Sequence, residues 1–501
     1  MESLRLNTIE YTVELWDINN VFVADITALV ATSLRISMPL NDVDEISFSL
    51  DLVQFEKLCA SIGARPINIL EPYRTDVKIR RNGNYLVGAH VVQTQVNFNN
   101  SDTNKIEVQC TGYLNHLKDR YLSAHYSGMT YAQIARNMIT DTQAAYNQIS
   151  NGDFYEGISG WRYIDSGFII WNKLVGRNNL GALFVSNSTG PNTFGGARWN
   201  ITLVAGVVYS LSYWVQAVTT GGKTYIVAGD GVRKNEVTIS TTAWTLITHS
   251  WTQTTTGLYF DIKMDANVNF YIDDIILSDN IDNATRRNFG ITLGVDTATV
   301  TQQTGRIRNF DLQNVKDGLI NLTKLEQDKF DFKFDANKVF STYKRRGSDK
   351  AEIELVYPQN IESINTIRSA TQLGNKIIAL GAGIGEERLE TNVVDFASAS
   401  TYRVRESVEM FNSVELLNTL NENAFGVLDE RSNLNDNISV NVTNNVLDLD
   451  KVELGDAIYI RVDKSSYVDY VNGLYRIVKL NIDVNQEFDE KISLELEKWS
   501  Q

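Results

Sequence analysis

A chain of 501 residues is too long for a single hydrophobic core, and at about 100–200 residues per domain it divides into three or four. An apolar share of 43%, with only five prolines and no low-complexity run, excludes long disordered stretches. The formal net charge of −15, from 61 acidic and 46 basic side chains, favours solubility and disfavours a duplex nucleic-acid partner, which needs a basic face. The one short basic run, Lys344-Arg345-Arg346, reads as a solvated turn.

The first residues, Met1 to Leu15, lack the cationic start and apolar run of a secretory leader, and no stretch approaches the roughly 18–20 apolar residues of a membrane span. Cys59 and Cys110 are the only cysteines, too few for a disulfide framework or a zinc site. Cys110 alternates with Ile106 and Val108, so a buried free thiol is expected, in a chain made and folded in a reducing cytoplasm.

Residues 9–113 read as antiparallel β. Tyr11, Val13 and Leu15 alternate, as do Ile46, Phe48 and Leu50, and Asn82-Gly83 is a two-residue hairpin turn between apolar runs. A short helix is expected around Phe55–Ile62. Strands this short and frequent suit a barrel or sandwich. Thr130 with Gln133 forms a capping-box pattern ahead of a helix bearing Ile134, Met138 and Ile139, which is expected to run to about Gln148.

The composition then changes. Six of the eight tryptophans lie between 151 and 280: Trp161, Trp171, Trp199, Trp214, Trp244 and Trp251. These 130 residues hold only 18 of the 107 charged side chains but 19 of the 50 aromatics, a step that marks a separate domain. Beyond it, Phe289-Gly290-Ile291 leads into a strand, Val315, Leu319 and Leu322 line a helix face, and Phe330 to Phe334 alternates as a strand. Helix, strand, helix and strand form one small α+β domain if residues 149–281 are looped out, an insertion that costs little when the insert's ends lie together. The rest repeats the β theme: a strand over Lys376–Ala382, a helix with Leu416, Leu417, Leu420 and Ala424 capped by Asn412 and Glu415, then Leu454-Gly455-Asp456, a hairpin through Tyr475 and Ile477, and a last strand with Ile492, Leu494 and Leu496.

The ordered set Tyr11-Thr12-Val13-Glu14-Leu15-Trp16-Asp17, Asp44-Glu45-Ile46-Ser47-Phe48-Ser49-Leu50, Leu454-Gly455-Asp456, Tyr475-Arg476-Ile477 and Ile492-Ser493-Leu494-Glu495-Leu496 resembles the hub family of phage tail baseplates, including the siphovirus tail-associated proteins. The resemblance covers most of 1–148 and 283–501. It implies a virion protein of the tail tip, a homotrimer whose two barrels per chain match a six-fold tail ring. The partners it implies are the distal tail protein, the tape-measure protein and other tail-tip or receptor-binding proteins. Many relatives continue into a peptidase, fibre or lysin domain, whereas this chain stops just after its last strand.

Within the insert, Asn151-Gly152-Asp153-Phe154, Gly160-Trp161, Ala205-Gly206, Tyr209 to Trp214, Trp244-Thr245 and Tyr271-Ile272-Asp273-Asp274-Ile275 resemble the jelly-roll carbohydrate-binding modules of the galactose-binding type. The expected fold is therefore mainly β with α+β. It has an N-terminal β-barrel-like domain (1–115), a discontinuous α+β domain (116–148 and 282–370), an inserted jelly-roll β-sandwich (149–281) and a C-terminal α+β and β-barrel-like domain (371–501).

Sugar binding needs aromatic faces that stack on pyranose C–H groups and a few fixed hydrogen-bonding groups. Alternation puts Tyr209, Leu211, Tyr213 and Val215 on the core side and Trp214 and Gln216 outside; it likewise leaves Arg198 and Asn200 outside while Trp199, Ile201 and Leu203 pack. The candidate glycan-binding residues are Trp214, Arg198 and Gln216, with Trp171 and Tyr225, for a ligand such as host cell-surface polysaccharide. Most of the other aromatics are expected to pack. No cofactor is required. The resemblance implies a structural calcium ion near the first and last strands of the insert, with Asp153, Glu156 and Asp274 as candidates, although Tyr155 stands where the family often has an acidic residue.

Catalytic patterns are poor. His90, His116, His125 and His249 fit no zinc-hydrolase spacing, no Gly-x-Ser-x-Gly turn accompanies them, and Gly381, Gly383 and Gly385 lack the Lys-Ser/Thr ending of a phosphate loop. Three readings stand: a non-enzymatic hub with a glycan-binding insert, the same hub with an architectural insert, and a carbohydrate-active enzyme carrying a binding module.

Overall fold

The computed structural model describes residues 9–499 apart from 31–33, 99–103, 145, 150, 155–156, 165–167, 178–180, 187–194, 219–221, 230, 266–267, 281–283, 299–305, 326–328, 384, 413, 415, 445, 464–470 and 486–488. The chain is mainly β and forms two compact units, one from Met1–Thr140 with Phe289–Gln501, the other from Asp141–Asn288. The second unit is wider at both ends than the 149–281 expected from composition, because composition marks only the tryptophan-rich part.

Local signals built the elements they announced. Asn82 and Gly83 both have positive φ, at 50° and 80°, and turn Thr75–Arg81 back into Asn84–Asn97, as a primed two-residue turn requires. Asp51 caps the helix Leu52–Ser61 by accepting from the Gln54 N–H at 2.8 Å. The capping box is closed in both directions: Thr130 N–H donates to Gln133 Oε1 at 2.9 Å and Gln133 N–H to Thr130 Oγ1 at 3.3 Å. The helix that follows, Tyr131–Gln143, ends earlier than Gln148. The helix Leu417–Arg431 has no side-chain cap; Asn412 lies outside it and accepts from Arg388 Nη2 at 2.7 Å, and Glu415 lies outside the described residues.

In the first unit the two ends of the chain join in one sheet. Strands of the first 112 residues lead through Leu34–Pro39 into Gly473–Val484, its antiparallel partner, and on to Glu490–Lys498, Asn435–Val442 and Ile361–Ser369. Thirteen strands share this sheet, and among the described residues its order does not close into a barrel. One continuous core, with Leu15, Ile79 and Val91 from the beginning and Ile458, Ile477 and Leu494 from the end, lies against it. The strands of the two flanking β regions are hydrogen-bonded into one continuous sheet in the described residues. Asp349–Tyr357, which sequence pattern assigned to the α+β region, pairs in parallel with Ala457–Val462 and belongs to this sheet, as does Ile361–Ser369.

A separate core carries the α+β region: Ile134, Met138 and Ile139 pack with Val315, Leu319, Leu322, Phe332 and Phe340. A third core under a three-stranded sheet, order Glu390–Val394, Lys376–Leu380, Glu406–Met410, holds Ile377, Ala379 and Val393 against Leu420, Ala424 and Leu428. Both cysteines are buried and free. The basic run is not a solvated turn: the Arg345 guanidinium sits 3.5 Å over the Trp499 ring, and the Arg346 N–H donates to Asp331 at 2.6 Å.

The second unit is a β-sandwich of two five-stranded antiparallel sheets. One runs Phe168–Asn172, Ala182–Ser186, Phe270–Asp279, Val208–Ala217, Thr245–Thr252; the other runs Arg233–Thr238, Lys223–Val227, Gly257–Asp265, Gly195–Leu203, Trp161–Ile164. Leu211, Tyr213 and Val215 from the first sheet meet Phe260, Ile262 and Met264 from the second in one core. The unit's entry and exit run side by side: Gln148 N–H donates to the Leu277 carbonyl at 2.8 Å, and its side chain to Asp279 at 2.7 Å. Adjacent ends are what an inserted domain needs.

Candidate functional site

Each sheet of the sandwich has an outer face, and the candidate residues are divided between the two. On the outer face of the sheet containing Gly195–Leu203, Arg198 is laid across Asp261, with Nε to Oδ1 at 2.6 Å and Nη2 to Oδ2 at 2.9 Å. The strand Gly257–Asp265 explains the pairing. Phe260, Ile262 and Met264 turn into the core, so Tyr259, Asp261 and Lys263 turn outward, and Arg198 is the direct partner of Asp261 across the ladder. The guanidinium also lies 3.6 Å from the centre of the Tyr259 ring. Asp261 is buried although it faces out, and a two-pronged pair is the geometry that makes a buried carboxylate tolerable. Tyr225 lies one row away, opposite Lys263, but is only 4% exposed.

Trp214 and Gln216 occupy the outer face of the opposite sheet. Trp214 is half-buried beneath Arg177, whose guanidinium lies 4.1 Å from the ring, and Gln216 donates to the Thr242 carbonyl at 3.0 Å. Trp171 points the other way. It packs against the core, and its Nε1 donates to the Phe154 carbonyl at 2.8 Å. The structure therefore does not unite the five candidates: Arg198 and Tyr225 share one sheet, Trp214 and Gln216 the reverse face of the other, and Trp171 faces inward. Alternation shows which side of its own strand a residue takes; it does not show which sheet the strand joins.

Two groups went unmarked in the sequence. Asp261 and Tyr259 complete the Arg198 cluster; the signal was a carboxylate in the outward register of an apolar strand. Phe184 and Tyr271, with ring centres 5.0 Å apart, and the half-exposed Phe168 and Ile170 form an apolar stripe on the face that carries Trp214.

Of the residues suggested for calcium, Asp274 is engaged in an ion pair. Asp274 pairs with Arg177 at 2.8 Å, and Asp273 accepts from the N–H groups of Arg177 and Asp274, each at 2.8 Å. Burial lifts the Asp273 carboxyl to about 7; the charge of Asp274 adds to the rise and the Arg177 N–H opposes it. Asp153 is exposed, and Glu156 lies outside the described residues. Among the described residues, no three His, Cys, Asp or Glu are grouped to hold a metal ion.

No family model matches the sequence, and no curated protein matches it. Among solved structures, the 43 kDa tail protein of prophage MuSo2 from Shewanella oneidensis is 9% identical over 98% of both chains, with a TM-score of 0.48. A tail protein from Neisseria meningitidis is 8% identical over 97% of this chain and 96% of that one, with a TM-score of 0.49. The C-terminal family 22 carbohydrate-binding module of Clostridium thermocellum Xyn10B is 19% identical over 26% of this chain and 96% of its own, with a TM-score of 0.22.

Proposed function

We propose that this chain is a non-enzymatic structural protein of a phage tail tip, a baseplate hub acting as a homotrimer, whose inserted sandwich binds host-surface glycan. The tail reading is supported by the ordered strand motifs at the two ends of the chain, which meet in one sheet, and by an insert whose ends run side by side. The buried charges of the first unit are engaged in packing pairs, Arg81 with Glu490, Lys338 with Asp76 and Arg476 with Asp331, which suits a scaffold.

The observation that carries the glycan reading is the Arg198–Asp261 pair against Tyr259 on an outer sheet face. The buried Asp261 carboxylate locks the part-exposed guanidinium, which offers donors in fixed positions for sugar hydroxyls beside an aromatic surface. A purely architectural insert is the competing reading, favoured by the burial of Trp161 and Trp251 in the core. Gold-labelled antibody against the chain, applied to intact virions, tests the placement: label at the tail tip supports it, and label on the head or on no particle sinks it.

A further inference from the structure

The three-stranded sheet of the first unit ends in two edges with no further strand beside them among the described residues, Glu390–Val394 on one side and Glu406–Met410 on the other. The inward backbone of each edge strand is accounted for. Leu389 N–H donates to the Ala382 carbonyl and Asp395 N–H to the Asn375 carbonyl, while across the sheet Phe411 N–H donates to the Leu380 carbonyl. By the two-residue period, the N–H and C=O groups of Glu390, Asn392 and Val394 point outward on one edge, and those of Glu406, Val408 and Met410 on the other. The helix Leu417–Arg431 covers only one face of this sheet; on the open face Val408 is 55% and Met410 64% exposed.

We propose that these edges pair with each other between copies of the chain, Glu390–Val394 of one copy lying antiparallel to Glu406–Met410 of the next. The direction follows from the sheet. Glu390–Val394 runs antiparallel to Lys376–Leu380 and Glu406–Met410 runs parallel to it, so extending the sheet into a second copy brings the two edges together in opposite senses. The fully overlapping register that sets outward groups against outward groups places Glu390 opposite Met410, Asn392 opposite Val408 and Val394 opposite Glu406. No carboxylate then faces a carboxylate, whereas parallel pairing would set Glu390 against Glu406. Pairing an edge with its own copy about a two-fold axis would leave the other edge of each chain open, a standing liability for aggregation. The head-to-tail contact covers both edges of every copy once its rotation closes a ring. That the ring has three members rests on the tail-tip reading; the pairing itself does not.

Asn392→Cys and Val408→Cys in the full chain provide the test. Facing residues of a hydrogen-bonded antiparallel pair have Cα atoms about 5.5 Å apart, within disulfide reach. The native Cys59 and Cys110 are buried and do not compete. Under mild oxidation each single variant is expected to stay uncrosslinked, an equimolar mixture of the two to give a linked pair, and the double variant to give a covalent ring of three chains. A ring of another number supports the pairing and counts against the tail reading. Linkage by Val408→Cys alone, which a two-fold contact would produce, overturns the proposal, and so does a double variant that does not link. Val408→Pro removes only an outward N–H, so its melting is expected to match the wild type while its light-scattering mass falls about threefold. A wild-type chain that is monomeric at micromolar concentration overturns the pairing as well.

Discussion

Arg81 and Glu490, 409 residues apart in the chain, form a buried ion pair with Nε 2.5 Å from Oε1. Tyr11 donates its hydroxyl to the same Glu490 oxygen at 2.5 Å, and Asp450 accepts from Arg81 Nη1 at 2.8 Å. Burial works against the Arg81 charge, yet the hydrogen bond and the charge of Glu490 hold its pKa above the ordinary value. Burial beside the Glu490 carboxylate pushes the Tyr11 phenol up. This group ties the first hairpin of the chain to the last.

Removing one partner of such a pair strands the other. Arg81→Met is expected to destabilise the first unit by roughly 3–5 kcal/mol, because Glu490 is left buried and uncompensated. Urea unfolding of the full chain checks this. A loss below about 1 kcal/mol, the range of an exposed pair, would show that Glu490 is reached by solvent.

Acid should loosen the first unit. His90 and His116 stack with ring centres 4.0 Å apart, and His116 stacks in turn on Phe289 at 5.0 Å. Burial depresses both imidazoles, His90 to about 3 and His116 to about 2, with Lys338 adding to each, Lys118 to the first and His90 to the second. Folded-state values below the unfolded one mean that stability present above about pH 6.5 is lost as pH falls toward about 3, by up to about 1.4 kcal/mol per pH unit for each ring. His116→Phe, which keeps a ring on Phe289, is expected to flatten this slope between pH 6 and pH 4. Melting curves that keep the wild-type slope would remove His116 as its source.

The inserted unit carries a group of opposite sign. Asp273 is lifted to about 7, so the folded state holds its proton more tightly than the unfolded chain does. Its contribution is full below about pH 4 and is lost as pH rises through about 7, on the order of a few kcal/mol in all. Asp273→Asn, which loses one of the two accepted N–H bonds, is expected to remove that pH dependence, so that the gap in melting temperature to the wild type narrows between pH 4 and pH 8. A gap that widens from pH 4 to pH 8 would show that the ionised carboxylate is the form the fold requires.

The two sheets of the sandwich predict different mutational outcomes. Arg198→Ala and Tyr259→Ala alter one outer face, whereas Trp214→Ala alters the other. Glycan affinity is expected to fall at least tenfold for the first two and to change less than twofold for Trp214→Ala, at about 1.4 kcal/mol per tenfold. Titration of each full-length variant with the same polysaccharide separates the faces, and the reverse ranking would move the site to Trp214.

Local chemistry explains what the sequence revealed. Asn82-Gly83 and the Thr130–Gln133 box act within four residues and need no tertiary context. The insert showed itself because a sandwich stocked with tryptophan and poor in charge differs in composition from the chain around it. Long-range pairing was not readable. Asp261 meets Arg198 across 63 residues, and nothing in either strand alone states that they are neighbours. The same gap let Arg198 and Trp214, each correctly outward on its own strand, be grouped as one surface when they belong to different sheets. Asn412 had the residue type of a helix cap but lay too far upstream, and its side chain went to Arg388.

The most direct measurement is binding of the full-length chain to an array of bacterial cell-wall and capsular polysaccharides, read beside Arg198→Ala at matched folding by circular dichroism. The account predicts that the wild type retains at least one polysaccharide and that Arg198→Ala loses it. Equal retention by both proteins, or none by the wild type, would contradict the assignment of a glycan-binding face to Arg198, Asp261 and Tyr259.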